Sequence, residues 1–167
     1  MRSLAFLALL TIAAAAPAHA ATPRFVGTFQ DWNVYAVDDG NGRLCYAASE
    51  PKKEEGNYTR RGAAALIVAK LPGDEPNEQV SVQPGYTFKT NTDAQVSFDD
   101  RGFRLFTKGE HAWANSAKED ETLIAAMKRG SAFKVRGTST RDTWSLDTYS
   151  LSGFSAAYGA MLNACKS

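Results

Sequence analysis

The chain has 167 residues, with 44% apolar and 22% charged side chains, 19 Lys+Arg against 18 Asp+Glu, and two cysteines. A balance so close to neutral, with no basic block, excludes long-range attraction to nucleic acid or to an anionic lipid surface. The apolar share is enough for one ordinary domain with a real core.

The first twenty residues differ from the rest. Met1 and Arg2 are followed by the uncharged run LAFLALLTIAAAA and then Ala18-His19-Ala20. A positive start, a short apolar stretch and a small-x-small end form a secretory signal peptide. About 13 apolar residues at about 1.5 Å each fall short of the roughly 30 Å needed to span a bilayer. No cysteine stands at the cleavage point, which argues against a lipid-anchored form. Cleavage after Ala20 removes Arg2 and leaves 18 cations against 18 acids in a single domain, 21–167. Nothing else in the mature chain is long and apolar enough to span a bilayer. The expected product is periplasmic or secreted.

Export bears directly on the cysteines. Outside the cytoplasm a cysteine pair tends to be oxidised, and Cys45 and Cys165 allow one intramolecular pairing. Closing a loop of about 120 residues restricts the unfolded chain by about 4–5 kcal/mol in the entropy model. A redox-active pair is disfavoured, because no C-x-x-C motif is present to lower a thiol pKa.

In chain order, 21–28 reads as a loosely held lead-in. Trp32, Val34 and Ala36 then alternate with Asn33, Tyr35 and Val37 before the turn-rich Asp38-Asp39-Gly40-Asn41-Gly42. Leu44–Ser49 returns, which predicts a hairpin with Ala36 opposite Cys45 and Val34 opposite Ala47. PKKEEGNYTRRG, 51–62, has no apolar period and reads as an exposed loop or hairpin tip. AAALIVAKL, 63–71, predicts a strand buried on both faces, which periodicity does not separate from helix. A turn follows at 72–77, then short strands at 79–83, 95–98, 103–107 and 112–114, with a tight turn at 99–102.

At 122–129 the period becomes helical, with Asp120, Glu121 and Thr122 as candidate caps and Gly130 as a stop. Strands are predicted at 133–138 and 143–151. From Phe154 the period is again helical. Taking Phe154 as zero, Tyr158, Met161 and Cys165 fall at about 40°, −20° and 20° on one stripe. A terminal helix laid on the sheet then brings Cys165 to an inward Cys45. Many short strands with frequent turns predict a mainly β, antiparallel sandwich or barrel with one short internal helix and one C-terminal helix.

Chemistry is sparse. Once His19 leaves with the leader, His111 is the single histidine, which excludes a histidine-rich metal site. Zinc would need Cys45, Cys165 and carboxylates, a poor set for an oxidising compartment. No G-x-S-x-G, calcium loop, phosphate loop or dinucleotide fingerprint is present, so no metal or cofactor is expected. Asp38-Asp39, Asp99-Asp100 and Glu119-Asp120-Glu121 lie where turns and helix starts favour acids. Asn57-Tyr58-Thr59 has the form of a glycosylation sequon.

Phe29, Trp32, Phe98, Phe103, Phe106, Phe133 and Trp144 mostly fit core positions. Trp113, in EHAWANS, is either core or an exposed contact. Tyr58 beside Arg60 and Arg61 is a second candidate contact, set against a plain solvated loop. Two function classes therefore stand: a non-catalytic binding module, including an inhibitor or assembly factor, and a small envelope hydrolase using His111.

FQDWNVYAV, CYAASEPKK and DTYSLSGFSAAYGAML, together with the leader, resemble the invasion-associated locus B family of exported bacterial proteins. The resemblance spans essentially the whole mature chain. It implies an immunoglobulin-like β-sandwich in the periplasm or on the outer surface of a Gram-negative bacterium. It also implies a non-enzymatic role, linked in some members to host-cell invasion, with an envelope or host protein as partner. No catalytic residue is carried over. Members usually place a cysteine shortly after Trp-x-Val, bridged within the same hairpin. Ala36 holds that place here, which leaves the long-range Cys45–Cys165 bond. A monomer or weak homo-oligomer is expected.

Overall fold

A computed structural model describes residues 22–38, 40, 42–73, 77–98 and 101–166. The leader, the 74–76 part of the predicted turn, and Asp39, Asn41, Asp99 and Asp100 lie outside the described residues. The elements run β1 (Arg24–Phe29), β2 (Trp32–Asp38), β3 (Arg43–Ser49), β4 (Lys53–Gly56), β5 (Ala65–Lys70), β6 (Glu78–Gln83), β7 (Ala94–Phe98), β8 (Arg101–Lys108), β9 (His111–Trp113), α1 (Ala117–Met127), β10 (Ala132–Thr138), β11 (Trp144–Ser150) and α2 (Phe154–Ala164).

All strand pairs are antiparallel, in the order β1-β2-β3-β5-β6-β9-β8-β7-β10-β11-β4. Strand β8 joins two halves: 101–105 pairs with β7, and 106–108 with β9. The inward residues of both halves form one core, in which Trp32, Tyr149, Phe133 and Phe154 are the largest fully buried side chains. The mainly β class with an internal and a C-terminal helix is as the sequence predicts. The hydrogen-bonded ladder, however, runs unbroken through β8, where an immunoglobulin sandwich keeps two separate sheets.

The first hairpin has the predicted register, Ala36 opposite Cys45 and Val34 opposite Ala47. Helix α2 lies on the inward face of β1, β2, β3 and β5. Its Phe154 ring stands 4.8 Å from Trp32, whose indole N–H donates to the Ser150 carbonyl at 3.0 Å. Cys165 is bonded to Cys45 with their Cα atoms 5.8 Å apart, across 120 residues of sequence. Gly153 starts this helix at φ 84, and a side chain there would run into the Phe29 carbonyl.

Four expectations are corrected. The lead-in 21–28 contains β1, which covers the open edge of β2; a register shift between Phe25 and Gly27 breaks its alternation and hides it from periodicity. The 51–62 stretch is not a free loop, because Lys53–Gly56 pairs with β11 as an edge strand. Its charges, which suggested a loop, are what edge strands carry to discourage further pairing. Strand β5 alternates in burial instead of being covered on both faces.

The internal helix begins earlier than predicted. Ser116 is its N-cap, accepting from the Glu119 N–H at 3.2 Å, while the Glu119 carboxylate accepts from the Asn115 N–H at 2.9 Å. The first turns are mostly polar and exposed, so the apolar stripe becomes visible only from Leu123. Strand β9 ends at Trp113, which leaves the Val80 N–H on β6 without a ladder partner; buried Asp120 of α1 accepts it at 2.7 Å.

Candidate functional site

The segment from Gly56 to Ala64 links β4 to β5. Asn57 continues the pairing with β11: its N–H donates to the Trp144 carbonyl at 3.2 Å, and its side-chain oxygen accepts from the Trp144 N–H at 2.7 Å. The side chain of the sequon is thus engaged with the sheet. Further along, the Gly62 N–H donates to the Gly85 carbonyl at 2.8 Å. Gly85 has φ 76, and any side chain there would meet the Gly62 carbonyl, so the two strands of chain touch backbone to backbone. This closeness turns Arg61 into the protein, where it donates to the Pro84 carbonyl at 3.1 Å.

Arg61 there meets Asp147. Strand β11 points Ser145, Asp147 and Tyr149 inward, each at most 1% exposed. Both terminal guanidinium nitrogens of Arg61, Nη1 and Nη2, donate to the Asp147 carboxylate, at 2.7 and 2.6 Å, and Glu54 makes a further ion pair at 3.0 Å. The Tyr58 ring lies 4.9 Å from the guanidinium carbon, and the Tyr86 hydroxyl is 2.8 Å from Ser145 Oγ.

Burial pushes the Asp147 carboxyl up, opposed by the hydrogen bonds and charge of Arg61. Burial also works against the arginine charge, but Asp147 and then Glu54 outweigh it, and the guanidinium is held more firmly protonated than usual. Arg61 Nε and the Tyr149 hydroxyl have no protein partner within hydrogen-bond distance.

Over this pair opens a cleft of about 460 Å³. Tyr58, Arg60 and Arg61 line one side, Gly85–Thr87 another, and the Ser139–Thr143 turn a third, with Glu110 the one carboxylate in the lining. Ser139 Oγ holds the turn, 2.7 Å from Thr143 Oγ1 and accepting from the Arg141 N–H at 3.1 Å. The Thr140 N–H donates to the Thr87 carbonyl at 3.0 Å, which ties the turn to the opposite wall. Arg60 and Arg141 are exposed at the mouth. The arrangement is a polar floor under two exposed arginines.

Three of the residues singled out from sequence, Tyr58, Arg60 and Arg61, therefore share one cleft, although Arg61 is a buried member of it. Trp113 is elsewhere. It is half-buried on the outward side of β9, 5.4 Å from the Phe106 ring and stacked on His111 at 5.4 Å. Phe106, expected in the core, is 40% exposed, because Phe106 and Trp113 are a cross-strand pair on the outward face. Among the described residues no group of three or more His, Cys, Asp or Glu is placed to hold a metal ion.

Sequence reasoning passed over Asp147, Ser145 and Tyr86. The alternation in WSLDTYS misleads: Trp144 and Leu146 share one face and read as inward, whereas the structure turns them out and buries Ser145, Asp147 and Tyr149. Arg61 was available, but its role depends on a contact 86 residues away.

The model of the family described as Invasion associated locus B (IalB) protein matches residues 32–162. Comparison with curated proteins finds no match. Among solved structures, the crystal structure of invasion associated protein b from Bartonella henselae superimposes with a TM-score of 0.59 at 15% identity, covering 84% of this chain and 98% of that one. At that identity the likeness is one of fold. The family match runs from the first residue of β2 well into α2, and the chain belongs to the Invasion associated locus B (IalB) family.

Proposed function

We propose that residues 21–167 act as an exported, non-catalytic binding module, and that the cleft between 58–62, 85–87 and 139–143 takes an acidic segment of an envelope or host protein. The observation that carries this reading is the charge at the cleft mouth. Arg61 is neutralised from below by Asp147 and Glu54, whereas Arg60 and Arg141 stand exposed above it with only Glu110 of opposite sign in the lining. Exposed arginines with planar, multiply donating heads suit carboxylates on a partner.

Other features support the same reading. The Cys45–Cys165 bond suits an oxidising compartment, and the signal-peptide pattern of residues 1–20 supplies the route. His111 stacks on Trp113, and Glu110, not His111, is in the cleft lining. The cleft hydroxyls of Ser139 and Thr143 are bonded to each other. The family's description refers to invasion, and for this chain that corresponds to contact with a partner protein.

The test is affinity capture from envelope extract and from host-cell surface extract by the oxidised mature domain, with mass spectrometry of what is retained. The doubly substituted Arg60→Glu, Arg141→Glu domain serves as the comparison. A protein retained by the wild type, released by salt and lost with the variant supports the proposal. Recovery of nothing above background, or equal recovery by both forms, overturns it.

A further inference from the structure

The strand register gathers a second surface, away from the cleft floor. On the outward side of the first half of the sheet, one cross-strand row is Phe25, Tyr35, Tyr46, Ala69 and Gln79. The next row is Asn33, Ala48, Ile67, Ser81, Trp113 and Phe106. The rings are in contact: Phe25 lies 5.6 Å from Tyr35, Tyr35 is stacked on Tyr46 at 5.1 Å, and Phe106 lies 5.4 Å from Trp113.

No outward position of β2, β3, β5, β6 or β9 carries Asp, Glu, Lys or Arg. The charged residues of these strands, such as Arg43, Lys70 and Glu78, have the parity of the inward face and lie at strand ends. The other half of the sheet is the opposite. Its outward positions include Lys53, Glu55, Arg104, Lys134 and Arg136. In a chain that is 22% charged, such segregation leaves one broad face of rings and small uncharged side chains, with Lys108 opposite His111 at its β8 border. Most are half-buried by one another, with Phe25 55% exposed at the free edge.

We propose that this outward face of β1-β2-β3-β5-β6-β9 is the contact surface of a two-fold homodimer. The occupant follows from charge and area. Strand positions without charge offer nothing to select a charged partner, and another uncharged sheet face matches this one, packed about 10 Å away. A second copy supplies it, and two-fold symmetry brings the same patch to both sides. The near-zero net charge of residues 21–167 adds no repulsion between copies. Five strands of six or seven residues, about 20 Å long, and the three-residue β9, about 10 Å long, spaced about 4.8 Å apart, present roughly 530 Å². Two such faces bury about 1,060 Å², at the low end for a specific interface, which calls for a weak, reversible dimer.

Sedimentation equilibrium of the oxidised mature domain over a wide concentration range tests this, alongside Ile67→Glu at the centre and Phe25→Glu at the exposed edge. The expected result is a monomer–dimer equilibrium whose dissociation constant rises at least about tenfold in either variant. Phe25 is exposed enough that its variant keeps the fold, and circular dichroism checks both. A wild-type domain that stays monomeric at the highest concentrations overturns the proposal, as does a dimer indifferent to both substitutions. Flotation of a monomeric wild type with phosphatidylcholine vesicles, lost in the variants, assigns the face to a membrane surface and also overturns it. Capture by the Arg60 and Arg141 cleft is a separate measurement, so the two readings fail independently.

Discussion

Arg61 and Asp147 meet through two hydrogen bonds of 2.7 and 2.6 Å, with side chains 4% and 1% exposed. Their encounter joins the β4–β5 connection to β11 and forms the floor of the cleft. Removing one partner of such a pair strands the other charge in the protein, whereas replacing both by apolar groups is far better tolerated. Arg61→Met and Asp147→Leu are each expected to lower stability by about 3–5 kcal/mol, and the double variant by much less than their sum. A double-mutant cycle from urea unfolding measures this.

Asp120 gives a pH dependence of predictable sign. Burial raises its pKa above the ordinary 3.8, against the opposing Val80 N–H. A carboxyl raised in the folded state binds its proton more tightly there than in the unfolded chain. Its contribution is therefore most favourable below 3.8 and is lost as pH rises through the folded value. Asp120→Asn keeps an acceptor for Val80 without the charge. The variant is expected to melt at the wild-type temperature or above it near neutral pH, with the advantage vanishing in acid. Thermal melts across that range check the sign.

The Cys45–Cys165 bond closes a long loop and holds the last turn of α2, where the Arg43 guanidinium also donates to the Ala164 carbonyl at 3.3 Å. Losing such a bond typically costs about 2–5 kcal/mol. Cys165→Ala, Cys45→Ala and the double variant are expected to be equally destabilised, since each removes the same constraint. Hydrogen exchange on reduction should show the amides near the end of α2 opening first, while the centre of β10 stays protected.

At Gly85 the constraint is steric. With φ 76 and the Gly62 carbonyl in the path of a side chain, Gly85→Ala must separate the two backbones that shape the cleft. A loss of about 1–3 kcal/mol is expected. Chemical denaturation reads the stability, and NMR shifts of Tyr58 and Tyr86 read the opening of the cleft wall.

Much of this fold was legible without coordinates. The first hairpin and its register followed from period-2 alternation around a turn-rich loop. The stripe of α2 followed from a period of 3.6. The disulfide followed from there being two cysteines and a leader-like pattern in the first twenty residues. What was missed failed for identifiable reasons. Strand β1 contains a register shift at Phe25/Gly27. Strand β4 is held by backbone pairing, which leaves no mark on side-chain pattern. The start of α1 is polar because it faces solvent.

At the cleft, the sequence singled out Tyr58, Arg60 and Arg61 as neighbours in a charged stretch but not what lay opposite. Trp113 was recognised as a candidate contact, yet its row from Asn33 to Phe106 exists only once six strands are in register.

From the sequence alone came most of the strands, the C-terminal helix, the inward set of the first hairpin and the oxidised cysteine pair, because each depends on spacing within a short window or on a single possible pairing. Only the tertiary structure decided that Arg61 is buried on Asp147, that α1 supplies a carboxylate to Val80, and that the outward positions of β2, β3, β5, β6 and β9 carry no charge. Those depend on residues far apart in the chain, 86 positions for Arg61 and Asp147 and 40 for Asp120 and Val80. No local pattern records which distant groups will share a low-dielectric interior.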